Sequence, residues 1–171
     1  MNKQIIIFFI GVDKSGKTTI SQELSKQINI PYFKNPSEKV LFDVNHIDAL
    51  HYEGNVMYEF LSQTNYSIIR DRDFICEYAY SKAYNRKTDY DFIFNLDEKY
   101  SKLNSFIVYC YKDKYENFID EYVLEYKIPL IKHFYSEYLQ KTKIKHLSLN
   151  TTDENLQEQI NTIMQFIKGI Y

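Results

Sequence analysis

The chain has no tryptophan, only two cysteines, only three arginines, and no apolar run longer than six residues. Cys76 and Cys110 lack metal-ligand spacing and do not make a disulfide framework, which predicts a reducing, cytoplasmic setting. The longest apolar runs, Ile5–Ile10 and Phe106–Tyr111, are too short for a signal-peptide core or a membrane span. Net charge is −2 in 171 residues, so the chain has no basic field of the kind that binds nucleic acid. No repeat, low-complexity stretch or linker interrupts it. One domain over residues 1–171 is expected. The abundance of Tyr, Lys, Asn and Ile is given no collective functional meaning.

What is present begins at residue 11. Gly11-Val12-Asp13-Lys14-Ser15-Gly16-Lys17-Thr18 is a complete phosphate-binding loop, followed by Thr19. The strand-like run Ile5–Ile10 precedes it, and Ile20, Leu24 and Ile28 follow at helical spacing. Gly11 and Gly16 allow a tight turn that brings backbone N–H groups against phosphate oxygens. The following helix N-terminus adds partial positive charge. Lys14, Ser15, Gly16, Lys17, Thr18 and Thr19 thus join Gly11 as ATP-binding candidates. Lys17 is expected on the terminal phosphates and the Thr18 hydroxyl on Mg²⁺. The partner is a small-molecule nucleotide, and neither nucleic acid nor membrane is expected.

Strand and helix signals then alternate. Ile30–Phe33 is a short apolar segment, and Ile47, Leu50, Gly54, Met57, Tyr58 and Leu61 mark one helix face. Tyr66–Arg70 reads as a strand ending at Asp71-Arg72. Residues 75–84 and a stretch through Phe92, Leu96, Tyr100 and Leu103 read as helices. Phe106–Tyr111 is a strand, 115–127 a charged helix, and Pro129 opens another helix with Ile131, Phe134 and Tyr138 inward. Lys145–Leu149 is a last strand. The pair Thr151 and Glu154 has capping-box spacing before a helix burying Leu156, Ile160, Ile163, Met164 and Ile167. This order predicts an α/β, three-layer P-loop NTPase-type fold: a five-stranded parallel sheet, helices on both faces, ligands at the carboxyl ends of the strands.

A phosphate loop alone does not choose between a kinase, a GTPase and a mechanical ATPase. The Asn-Lys-x-Asp guanine signature is absent. Asp71-Arg72 at a strand end places a carboxylate and a guanidinium beside the loop. The first can orient Mg²⁺ water or the attacking phosphate, and the second can clamp phosphate oxygens with two hydrogen bonds.

At these residues the sequence resembles the thymidylate kinases and, more broadly, the related deoxynucleoside kinases. The thymidylate kinase loop, Gly-x-Asp-x-x-Gly-Lys-Ser/Thr-Thr, is matched from Gly11 to Thr19. Their Asp-Arg-Tyr/Phe-x-x-Ser-x-x-Ala-Tyr-Gln is matched at Asp71, Arg72, Ala79 and Tyr80. Asp73 replaces the aromatic, Cys76 the serine and Ser81 the glutamine. Lys34-Asn35-Pro36 stands for Arg-Glu-Pro after the second strand. The resemblance implies phosphorylation of a deoxynucleoside monophosphate such as dTMP by ATP–Mg²⁺. It implies Asp13 on the sugar 3′-hydroxyl, Arg72 and Lys34 on the acceptor phosphate, Tyr80 against ribonucleotides, and Asp71 with Thr18 on the metal side. A homodimer stays open.

Phosphoryl transfer also needs a cation beside the moving group. A lid candidate, residues 112–127, holds Lys112, Lys114 and Lys127 but no arginine. Lys14 inside the loop is therefore the first candidate, and Arg86 a further one. The alternative reading is a deoxynucleoside kinase, whose carboxylate after the second strand acts as base on the 5′-hydroxyl. Asn35 occupies that position here, leaving Glu38 and Glu53 as other candidates. A catalytically dead nucleotide-binding regulator and a nucleic-acid end kinase are the remaining readings.

Overall fold

The computed structural model describes residues 4–35, 39–115, 123–153 and 155–169, with 39–44 by backbone only. Five parallel strands form one sheet in the order β2-β3-β1-β4-β5: β1 Ile6–Ile10, β2 Tyr32–Lys34, β3 Ile68–Asp71, β4 Ser105–Tyr111 and β5 Lys145–Asn150. Six helices connect and flank them: α1 Lys17–Ile28, α2 Lys39–Gln63, α3 Phe74–Tyr84, α4 Tyr90–Ser101, α5 Ile128–Lys141 and α6 Leu156–Lys168. The fold class and the five parallel strands agree with the sequence reading.

The centre of the sheet explains why the first strand is apolar throughout. β1 lies between β3 and β4 and is buried on both faces, so alternation gives way to a continuous apolar run. Ile6, Phe8 and Ile10 join a core with residues of α2, α3, α4 and α5. Ile7 and Phe9 join a second core with Ile20 and Leu24 of α1 and Ile160, Ile163 and Ile167 of α6. Gly54 lets α2 pack tightly on α4, since a Cβ there would lie 2.6 Å from Leu96 Cδ1. Asp97 of α4 fixes the end of α5, accepting from the Tyr138 hydroxyl at 2.6 Å and the Lys143 backbone N–H at 2.9 Å.

Three local expectations are corrected. The described ends of the stretch 115–127 are not α-helical; only a 3₁₀ turn, Glu125–Lys127, forms there, and 116–122 lie outside the described residues. In α5 the fully buried aromatic positions are Tyr135 and Tyr138, with Phe134 packed at the edge. The helix register places i and i+4 inward from Ile131, and Phe134 falls to one side. Finally, α6 is capped by Asn155, whose side chain accepts from Glu158 N–H. Thr151 does not cap it, because its hydroxyl is engaged elsewhere, and Glu154 lies outside the described residues. Among the described residues no helix is long and apolar enough to cross a membrane.

Candidate active site

The loop between β1 and α1 holds its shape through positions that resist substitution. Gly11 has φ +140°, and a Cβ there would lie 2.1 Å from the Cys110 carbonyl oxygen. Gly16 has φ +82° and Lys14 φ +62°, both left-handed. The buried Lys17 ammonium donates to the Val12 carbonyl at 2.8 Å, folding its stem back over the loop. Thr151, just past β5, sets its hydroxyl within hydrogen-bond reach of Ser15 O at 2.8 Å and Tyr111 O at 3.0 Å. It therefore braces the loop from behind. Ser15 Oγ is buried within the loop without a partner.

β3 delivers two charged residues to this loop from opposite sides of its end. Asp71 lies on the α1 face, where Oδ2 accepts from Thr18 Oγ1 at 2.5 Å and from the Tyr32 hydroxyl at 3.0 Å. Asp71 Oδ1 is buried without a partner. A hydroxyl and a carboxylate with an open oxygen fit a Mg²⁺ ion that takes its remaining ligands from water and phosphate. Among the described residues, no three His, Cys, Asp or Glu side chains gather as an all-protein metal site. Burial first, then the Asp71 charge, pushes the Tyr32 phenol up to about 12, so it remains a donor at neutral pH.

Arg72 turns the other way. Its φ is +67°, with its N–H bonded to Phe9 O at 3.2 Å, and this local twist throws the side chain over the loop. The guanidinium pairs with Asp13 Oδ1, while the Tyr80 hydroxyl of α3 donates to Asp13 Oδ2 at 3.0 Å. Burial opposes the Arg72 charge, but the Asp13 carboxylate outweighs it and raises the Arg72 pKa. Burial and then the Asp13 charge push Tyr80 well above the usual phenol range. Arg72 and Tyr80 are thus fixed as cation and neutral donor. Tyr135 of α5 reaches the Gly11 carbonyl at 3.4 Å and closes the base of the site.

A second ionic cluster adjoins the first. Arg70 is almost wholly buried, with Nη2 2.6 Å from Glu53 Oε1 and Nε 2.6 Å from Asp73 Oδ2. The Asp73 contact is an ion pair without hydrogen-bond alignment. Burial raises the Asp73 carboxyl to about 6 despite the opposing Arg70 charge. Glu53 also accepts from Asn35 Nδ2 at 2.8 Å. Pro36 and Glu38 lie outside the described residues. Lys34 pairs in register with Asp71, but its side chain is exposed on the edge strand.

The remaining cations are placed as follows. Lys14 is exposed at the tip of the loop, and Thr19 is exposed on α1. Lys127 donates to the Ala83 carbonyl at 2.9 Å, and Arg86 pairs with the buried Glu77 at 3.3 Å. Both are engaged away from the phosphate loop. The structure brings the candidates Asp13, Lys17, Thr18, Asp71, Arg72 and Tyr80 together around the loop. Sequence reasoning missed Tyr32, Tyr135 and Thr151 at the site. No motif flags them, although the sheet register of Tyr32 beside Ile69 identifies its neighbour once the strands are paired.

No family model matches the chain, and no curated protein matches it. Solved structures do resemble it. The YorR protein from Bacillus subtilis, in complex with phosphorylated GDP, aligns at TM-score 0.74 and 20% identity over 95% of each chain. A thymidylate kinase from Candida albicans aligns at TM-score 0.65 and 18% identity, over 98% of this chain and 92% of that one. A deoxyadenosine kinase from M. mycoides, with the products dCMP and a flexible dCDP bound, aligns at TM-score 0.62 and 18% identity. It covers 97% of this chain and 100% of its own. The chain has the P-loop nucleotide-kinase fold that these proteins share.

Proposed function

We propose that the protein transfers the γ-phosphoryl group of ATP to a deoxynucleoside monophosphate, dTMP or a similar acceptor, giving the diphosphate. The observation that carries this reading is the Asp13–Arg72 pair, which joins the phosphate loop to the Asp-Arg segment. It sets a guanidinium fork beside a loop built for the donor.

In this reading Gly11, Ser15, Gly16 and Thr19 cradle the donor phosphates. Lys17 leaves the Val12 carbonyl for the β- and γ-phosphates, a stronger acceptor for a buried ammonium. Thr18 and Asp71 hold Mg²⁺, which when bound neutralises phosphate charge. Arg72, with Lys34 in support, grips the acceptor phosphate and aligns its oxygen with the γ-phosphorus. The new P–O bond forms as the bond to the ADP oxygen breaks. Asp13 takes the sugar 3′-hydroxyl, and the Tyr80 ring occupies the space a 2′-hydroxyl would need. Lys14 supplies the charge that grows at the moving phosphoryl group. Residues 1–171 act as one cytoplasmic domain.

A second reading is a deoxynucleoside kinase, and Glu53 is the observation that favours it. Its carboxylate lies 2.8 Å from Asn35, where that family carries its base, so the side chain missing from Asn35 is supplied by α2. The alignment to a thymidylate kinase and to a deoxyadenosine kinase supports both acceptor classes equally. A panel of nucleosides and nucleoside monophosphates, assayed with ATP–Mg²⁺ for ADP formation, separates them. Turnover of monophosphates is expected; turnover of nucleosides alone replaces the first reading with the second.

A further inference from the structure

Asp71 has an uneven environment. One oxygen, Oδ2, collects two hydroxyl donors, from Thr18 at 2.5 Å and Tyr32 at 3.0 Å, while Oδ1 is buried with none. A buried carboxylate oxygen without a donor is costly, so the arrangement calls for a ligand on that side. The two donors also come from different layers. Thr18 belongs to α1 and has its own expected role on the metal, whereas Tyr32 belongs to the edge strand β2 and reaches the site at Asp71 and at the Thr18 hydroxyl. Tyr32 is only half-buried, with Thr18 and Gln22 also facing its oxygen, so little packing depends on its hydroxyl.

We propose that Tyr32 is a positioning residue for the metal: its hydroxyl locks the Asp71 carboxylate so that Oδ1 is held toward the Mg²⁺ site. This rests on the metal reading of Thr18 and Asp71 given above. Without Tyr32, Asp71 keeps only the Thr18 donor and is free to rotate about its Cβ–Cγ bond. A donor held behind a metal-side carboxylate fixes its orientation, and loss of such partners weakens metal binding about 10–100-fold in known sites. The role is distinct from that of Thr18, because Tyr32 is not itself a metal-side group and acts by holding one that is.

The test is Mn²⁺ binding followed by electron paramagnetic resonance, on the full chain with a non-hydrolysable ATP analogue. Tyr32→Phe keeps the ring on the edge strand, and Tyr32→Leu is a second variant should the first be perturbed. Both are expected to bind Mn²⁺ about tenfold more weakly or worse than wild type. Affinity for the analogue in EDTA should stay within about twofold, because the hydroxyl does not touch the donor phosphates. Equal Mn²⁺ affinity in wild type and both variants overturns the proposal. So does a loss of analogue affinity in EDTA matching the loss with metal, since that marks a merely structural role. A wild-type protein that binds no metal–nucleotide complex at all defeats the proposed function itself, which is a separate and recognisable result.

Discussion

The Tyr80 hydroxyl donates to Asp13 Oδ2 at 3.0 Å, tying α3 to the phosphate loop at a carboxylate whose other oxygen is held by Arg72. Tyr80→Phe removes one hydrogen bond to a buried charge and should destabilise the fold by about 1–2 kcal/mol, a drop of several degrees in Tm by calorimetry. The ring remains, so deoxy-over-ribo selectivity should survive in the Phe variant and fall in Tyr80→Ala. Equal selectivity in both variants would remove the ring from the discrimination.

The two loop lysines should separate kinetically. Lys17→Ala and Thr18→Ala are expected to abolish transfer in a protein that still folds, as judged by circular dichroism. Lys14, exposed at the loop tip, is expected to act mainly as charge develops. Lys14→Ala should therefore lower kcat about 100-fold while changing the Kd for ATP by less than about fivefold. An unaltered kcat moves this role to Lys112 or Lys114.

Acceptor chemistry can be read by crossing two variants. Arg72→Ala should raise KM for a deoxynucleoside monophosphate about 100-fold and lower kcat, with Arg72→Lys recovering only part, because an ammonium lacks the planar fork. Glu53→Gln should leave monophosphate use within a few fold, apart from any stability lost with the Arg70 pair. The reverse pattern, in which Glu53→Gln removes nucleoside turnover and Arg72→Ala spares the acceptor KM, identifies a hydroxyl acceptor.

Stability should decline in acid for a reason distant from the site. Glu137 of α5 is held down to about 2 by hydrogen bonds from Lys141 and then Lys82. A carboxylate with a lowered folded-state pKa stabilises the fold above its unfolded value near 4.5, and that contribution is lost as pH falls from there toward 2. Urea midpoints measured from pH 7 to 2.5 should fall in that window. Glu137→Gln should flatten the fall; an identical acid profile would show that the pairing contributes nothing.

The fold was readable because its signals are local: β1 and β4 are continuous apolar runs, and α6 has clean helical spacing. The site was readable where a motif fixes chemistry at a fixed spacing, as in Gly11–Thr18 and Asp71-Arg72. Thr151 shows the limit. Its capping-box spacing is genuine in the sequence, yet its hydroxyl finds carbonyls from Ser15 and Tyr111 that only the assembled sheet provides. Glu53 shows it again, since a half-exposed helical glutamate acquires meaning only when a buried arginine and Asn35 converge on it. Pairings across the sheet decide such cases, and residue order does not encode them at short range.

The position of β1 at the middle of the sheet also bears on how the molecule comes into being. Ile6 pairs with Ile68 on one side and with Ser105 on the other, and the Gly11 backbone rests against the Cys110 carbonyl. Contacts so remote in sequence close slowly, because long chain segments must be confined before any pairing rewards them. A nascent chain that has emerged only to residue 100 carries every residue of the phosphate loop and none of its β4 support. Substitutions in Phe106–Cys110 should therefore delay acquisition of nucleotide binding during refolding, even where the finished protein tolerates them.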